Sequence, residues 1–240
     1  MHPDAAFIGK VFLAFTVVCI FLVYAGMRKL ASRSGDHRLT KVPNRFLTIV
    51  VVWMVILFIL SVTGFTSNFS STPPRMFILL FLVFAVVLTL VVSGKTDAML
   101  RVTPYHWLVN IQSFRIVVEL ILWWMSVEYF IPEQMTFEGL NLDILAGLSA
   151  PVIYLVIKRD PASSRKTLLI WNIISLLLLV NIVTIAILSL PTQFRAFMNE
   201  PSSFILTQFP FILLPGILVP LAYSMHFLSL RKLFIERQSN

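Results

Sequence analysis

Gln112, Arg115 and Glu119 lie three and four residues apart inside one apolar run, "NIQSFRIVVELILWW", residues 110–124. At about 100° of helical rotation per residue, they fall within about 60° of one another and form one polar stripe. An amide, a guanidinium and a carboxyl group on one face can hold an anion, a cation or a proton, or can neutralise one another. Arg115 lies roughly ten residues from the basic end of its run, which at about 1.5 Å per residue places it about 15 Å deep, near the middle of a bilayer. An isolated arginine there costs about 2.5–3.5 kcal/mol on insertion scales. Pairing with Glu119 at i,i+4 would offset that cost, although Arg before Glu is the less favourable order. The stripe is expected to face other helices, and Gln112, Arg115 and Glu119 form the candidate ligand or ion site.

Further polar residues recur in the later apolar runs. Asn172 and Gln208 are expected to line the site, with Asn181 and His226 as additional embedded polar groups. The segment "IPEQMTFEGLNLD", residues 131–143, is the densest polar stretch on the opposite side from the basic links. Glu128, Glu138, Asn141 and Asp143 are expected to form an outer mouth, with Asn141 or Asp143 capping the helix that follows. Glu133, Glu138 and Asp143 are hard-cation donors, but their spacing does not fit a calcium loop, so no metal site is assigned. "FPFILLPGILVPLAYSMHF", residues 209–227, carries Pro210, Pro215 and Pro220. Each proline removes a backbone donor, and Pro215, Gly216 and Pro220 are expected to form a hinge in the last span.

Enzyme and cofactor chemistry find little support. His2, His37, His106 and His226 fall in different segments, with His106 and His226 expected at cytoplasmic helix ends. The single cysteine, Cys19, precludes an intrachain disulfide and any multi-cysteine metal site. A retinal Schiff base would need a lysine inside the last span, whereas the lysines nearest the later spans are Lys166 and Lys232, at their ends. No cofactor is implied.

The elements that must hold this stripe follow from composition. Hydrophobic residues make up 58% of the 240 and charged residues 12%, against about half apolar and a quarter charged in soluble domains. The chain therefore reads as one integral membrane domain, residues 1–240, of all-α class. A helix satisfies its own backbone groups in lipid, and about 17–25 apolar residues cross the hydrocarbon core. Seven spans are expected: Phe7–Met27, Phe46–Gly64, Met76–Val92, Tyr105–Phe130, Ile144–Ile157, Leu168–Leu190 and Phe204–Leu228. The first three are plain and lipid-like, and the last four hold most of the embedded polar groups.

The Lys and Arg residues orient these spans. Arg28, Lys29, Arg33, Arg38, Lys41 and Arg45 follow the first span, Lys95 and Arg101 the third, Lys158, Arg159, Arg165 and Lys166 the fifth, and Arg231, Lys232 and Arg237 the last. Only Lys10, Arg75, Arg195 and the embedded Arg115 fall elsewhere. The expected topology is a seven-helix bundle in the plasma membrane, N-terminus outside and C-terminus cytoplasmic. The net charge of +8 then reflects topology and anionic lipid, not nucleic acid.

The leading functional expectation is a transporter or channel-like protein for a small solute, ion or proton. Its rival is a membrane sensor or assembly subunit in which the Arg115–Glu119 pair is structural. A third reading is an intramembrane lipid-modifying enzyme using Glu119 as acid or base.

Overall fold

A computed structural model describes residues 3–159 and 161–238; Met1, His2, Asp160, Ser239 and Asn240 lie outside the described residues. Helix accounts for 76% of the structure, and no strand occurs among the described residues. In chain order the helices are α1 (Pro3–Arg33), α2 (Val42–Val62), α3 (Arg75–Val92), α4 (Asp97–Val102), α5 (Tyr105–Asn110), α6 (Phe114–Val127), α7 (Ile144–Arg159), α8 (Pro161–Leu188) and α9 (Val219–Gln238). A 3-10 turn, Ile111–Ser113, joins α5 to α6, and a π-turn, Leu214–Leu218, leads into α9.

Five stretches are long and apolar enough to cross a membrane: Pro3–Arg33, Leu39–Val62, Arg75–Val92, Tyr105–Val127 and Arg165–Leu188. The two other expected spans differ. At 16 residues α7 is about 24 Å long, short of a hydrocarbon core of about 30 Å. The stretch expected as one helix over Phe204–Leu228 is broken. It begins as a 3-10 turn at Ser203–Thr207, runs irregularly, tightens into the π-turn and becomes α-helical only from Val219, continuing to Gln238.

That break follows from the prolines and is held by α2. The Thr207 carbonyl accepts the hydroxyls of Ser61 and Thr66, and the Phe209 N–H donates to Ser61 Oγ at 2.6 Å. Pro220 lacks the N–H that would reach the Gly216 carbonyl in a regular helix, and the Trp53 indole N–H donates to that carbonyl at 2.9 Å. Irregular backbone in an apolar interior is stable only when its groups are satisfied in this way. The expected hinge residues Pro215 and Gly216 lie in the π-turn, and Pro220 lies in the first turn of α9.

Burial is one-sided on most helices. In α1, Ile8, Phe12, Thr16, Cys19 and Val23 form a buried stripe at three- and four-residue spacing, while Phe7, Val17, Phe21 and Leu22 face outward. α2 buries little beyond Pro43 and Leu57. α6 packs between α1 and α7, and α9 packs between α3 and α8. A single close approach sets the α6–α7 contact. A Cβ on Gly147 would lie 2.9 Å from Ile116 Cγ1 and 3.0 Å from the Ile116 backbone nitrogen, so only glycine lets α7 approach Arg115 this closely.

Candidate functional site

The three residues of the α6 stripe are all buried: Gln112 in the 3-10 turn, then Arg115 at 2% and Glu119 at 1% exposure. The expected Arg115–Glu119 pair does not form. Arg115 turns instead to Asp143, at the start of α7. Its Nε donates to Asp143 Oδ2 at 2.6 Å, and its second terminal nitrogen binds Oδ1. This two-pronged contact matches the planar fork of a guanidinium to a carboxylate, which an i,i+4 glutamate on the same helix does not achieve here. Glu119 Oε2 accepts from Asn141 Nδ2 at 2.6 Å. Asn141 in turn uses Oδ1 to accept the Asp143 N–H at 2.9 Å, closing the turn before α7, and donates to the Met135 carbonyl.

Asn141 and Asp143 therefore belong to the buried centre and not to an outer mouth. Glu128 and Glu138, expected beside them, are exposed on the surface. The link preceding α7 folds back over the bundle, and its one tight point is Gly139, where a Cβ would come within 2.5 Å of the Glu133 carbonyl oxygen.

The network continues into α8 and α9. The other terminal nitrogen of Arg115 lies 3.0 Å from His226 Nε2, and His226 Nδ1 lies 2.8 Å from Asn172 Oδ1. Arginine only donates, so Nε2 must accept; Nδ1 then carries the proton and donates to Asn172. Asn172 Nδ2 donates to the Leu168 carbonyl at 2.7 Å and to Ser229 Oγ at 3.0 Å. One hydrogen-bonded chain thus runs from Glu119 through Asn141, Asp143, Arg115, His226 and Asn172 to Ser229. Gln112 flanks it, donating to the Ala222 carbonyl at 3.1 Å, while its buried Oε1 has no partner. Gln208 lies outside this chain, half-buried in the irregular segment before the π-turn. Asn181 is exposed and donates to the Leu140 carbonyl.

His226 is the residue that the sequence reading misplaced. It was expected at a cytoplasmic helix end, yet it is wholly buried against the Arg115 guanidinium. Its signal lay in α9 itself, where Ala222, His226 and Ser229 recur at helical spacing and are all buried.

The charge balance of the cluster is uneven. Arg115 is its one cation, and Asp143 occupies it. Glu119 has a single hydrogen-bond partner, on Oε2, and no cation. It lines a cavity of about 80 Å³ enclosed by α3, α6, α8 and the π-turn, whose walls include Leu80, Leu122, Ile182 and Leu214. Among the described residues, Glu119 and Asp143 are the only charged ones along it.

Residues 73–234 match the model of one family, described as a domain of unknown function (DUF8737). No curated protein and no solved structure matches the chain.

Proposed function

The chain belongs to the DUF8737 family, and from its buried site we propose that it is a membrane carrier for a small solute or ion, with Glu119 as the binding carboxyl group. In this reading α7 and the 203–238 segment cross the bilayer with the five longer stretches, giving seven crossings in the plasma membrane. The N-terminus lies outside and the C-terminus in the cytoplasm, as the distribution of Lys and Arg supports.

A single observation carries the proposal. A second carboxyl group is buried beside an ion pair that already balances itself, and it faces a cavity. Burying an unmatched carboxylate costs several kcal/mol, so the matching charge is a proton or a cation brought by the cargo. Arg115, Asp143, His226 and Asn172 then form the scaffold that positions Glu119. The mutual satisfaction of that scaffold also favours a second reading, a sensor or assembly subunit in which the whole cluster is structural.

Proteoliposomes loaded with a pH-sensitive dye separate the two readings. Gradients of protons, sodium, potassium and methylammonium are imposed in turn on wild-type and Glu119→Gln vesicles. A carrier moves at least one of these faster than protein-free vesicles do, and Glu119→Gln lowers that flux at least tenfold. Equal behaviour of wild-type, variant and empty vesicles across all four gradients sinks the carrier reading and leaves the structural one.

A further inference from the structure

The cavity at Glu119 adjoins a second space and shares one wall with it. A groove of about 370 Å³ runs between α3 and α8 beside the π-turn, and Leu80, Val183, Ile187, Pro215 and Val219 line both spaces. The groove walls are apolar and aromatic, with Phe77, Phe81 and Phe84 of α3 facing Tyr223 of α9. Several of these side chains sit on the outward face of α3; Phe81 is among the most exposed hydrophobic residues of the protein. In a bilayer that face meets acyl chains and not water. The path to Glu119 therefore opens sideways, toward lipid.

Two features of the inner end define what fits. Among the described residues the hydrogen bond to Glu119 falls on Oε2, so Oε1 is the oxygen left for a donor from the cavity that the residue lines. Arg115 has no nitrogen left to contact Glu119, because Asp143 holds two of its three and His226 the third, and one guanidinium does not balance two carboxyl groups. The rest of the wall is apolar along its length. An occupant that satisfies both ends has one cationic donor at its head and an apolar tail.

We propose that this site takes a lipophilic ammonium ion, a protonated amine on a single alkyl chain, which enters from the bilayer between α3 and α8. Its head binds Glu119 and its tail lies in the groove along Phe81 and Phe84. An anionic amphiphile meets two carboxyl groups and is repelled; a neutral one leaves Glu119 unmatched. A short, tail-less amine gains the head contact but forgoes the apolar burial, which contributes about 0.8 kcal/mol per methylene. This inference rests on Glu119 being the binding carboxyl of the proposed carrier and adds the class of its cargo and the route.

The test uses the full chain in nanodiscs of zwitterionic lipid, with dodecylamine, dodecanol, lauric acid and methylammonium as probes and the thermal unfolding midpoint as readout. Dodecylamine at about 100 times its Kd raises the wild-type midpoint by several degrees, and the other three leave it unchanged. Glu119→Gln weakens dodecylamine binding at least tenfold. Leu80→Trp, which fills the shared wall without touching the polar cluster, weakens it similarly and covers the case in which Glu119→Gln misfolds. Equal stabilisation of wild type and both variants overturns the inference, as does equal stabilisation by lauric acid. If methylammonium flux depends on Glu119 but dodecylamine does not bind, the lateral route fails and the carrier stands. If dodecylamine binds through Glu119 but no gradient drives flux, the site stands and the carrier fails.

Discussion

The two buried carboxyl groups should respond very differently to loss of charge. Asp143 takes the Nε and one terminal nitrogen of Arg115, leaving that guanidinium only His226 Nε2 at 3.0 Å and a long contact to the Ser175 carbonyl at 3.4 Å. Asp143→Ala strands a cation that is 2% exposed, and removing one partner of a buried pair costs about 3–5 kcal/mol. Glu119→Gln retains an amide oxygen that can still accept from Asn141, so its cost is the difference between a charged and a neutral hydrogen bond, about 1 kcal/mol. Removing both partners of the pair, in Arg115→Met with Asp143→Leu, strands neither of them and forfeits mainly the donor to His226. That loss is about 1–3 kcal/mol, so the double variant is more stable than Asp143→Ala alone and the coupling is at least about 2 kcal/mol. Equilibrium unfolding in mixed dodecylmaltoside–dodecylsulfate micelles, followed by far-UV circular dichroism, measures wild type, these three variants and the single variants Arg115→Met and Asp143→Leu that close the cycle. If Asp143→Ala costs no more than Glu119→Gln, or if the double variant loses the sum of the single losses, the division into a structural pair and a free carboxyl is wrong.

Three further outcomes follow from the geometry. Gly147→Ala places a methyl group against the Ile116 backbone and pushes α7 off α6, destabilising the same micellar unfolding by about 1–3 kcal/mol, whereas alanine at an exposed α7 position such as Leu148 costs less. Trp53→Phe leaves the Gly216 carbonyl without its indole donor and costs about 1–3 kcal/mol, with faster amide exchange confined to residues 214–223. The third concerns the α4–α9 contact, where the hydrogen bonds from Arg231 hold the Asp97 carboxyl below its usual range. A lowered folded value means this stabilisation is present above the unfolded aspartate value of about 3.9 and is lost as pH falls through the folded one. Both side chains are partly exposed, so the effect is under about 1 kcal/mol. Asp97→Asn should lose this increment, under about 1 kcal/mol, at neutral pH and converge on wild type as pH falls through the folded value, so that the acid limb is flattened; an unaltered acid limb rejects the contact as its source.

What could be read from the sequence was local, and what could not was set by distant packing. The Gln112–Arg115–Glu119 stripe is a matter of three residues on one helix, and helical periodicity places them on one face. The partner of Arg115 depends on a residue 28 positions away, and nothing in α6 announces that Gly147 lets α7 come close enough to bring Asp143 in. Asn141 and Asp143 looked like solvated loop residues because they follow a polar stretch bounded by proline and glycine. In the fold, that stretch turns inward and buries them.

His226 was misplaced for the opposite reason. The apolar run ends near Leu228, ahead of Arg231 and Lys232, which sets His226 at the cytoplasmic end of the expected span. Those charges are instead tied to the protein: Arg231, partly exposed, on Asp97, and Lys232, 7% exposed, on the Leu100 carbonyl and Glu236. α4 and α5 pack against that end of α9, and the buried interior extends at least a turn further than the apolar run does. The cluster around Arg115 holds one arginine and two carboxyl groups, Asp143 and Glu119, where the sequence alone pairs Arg115 with Glu119. Once Asp143 is counted beside Arg115, Glu119 is the carboxyl group of the cluster without an ion-pair partner among the described residues.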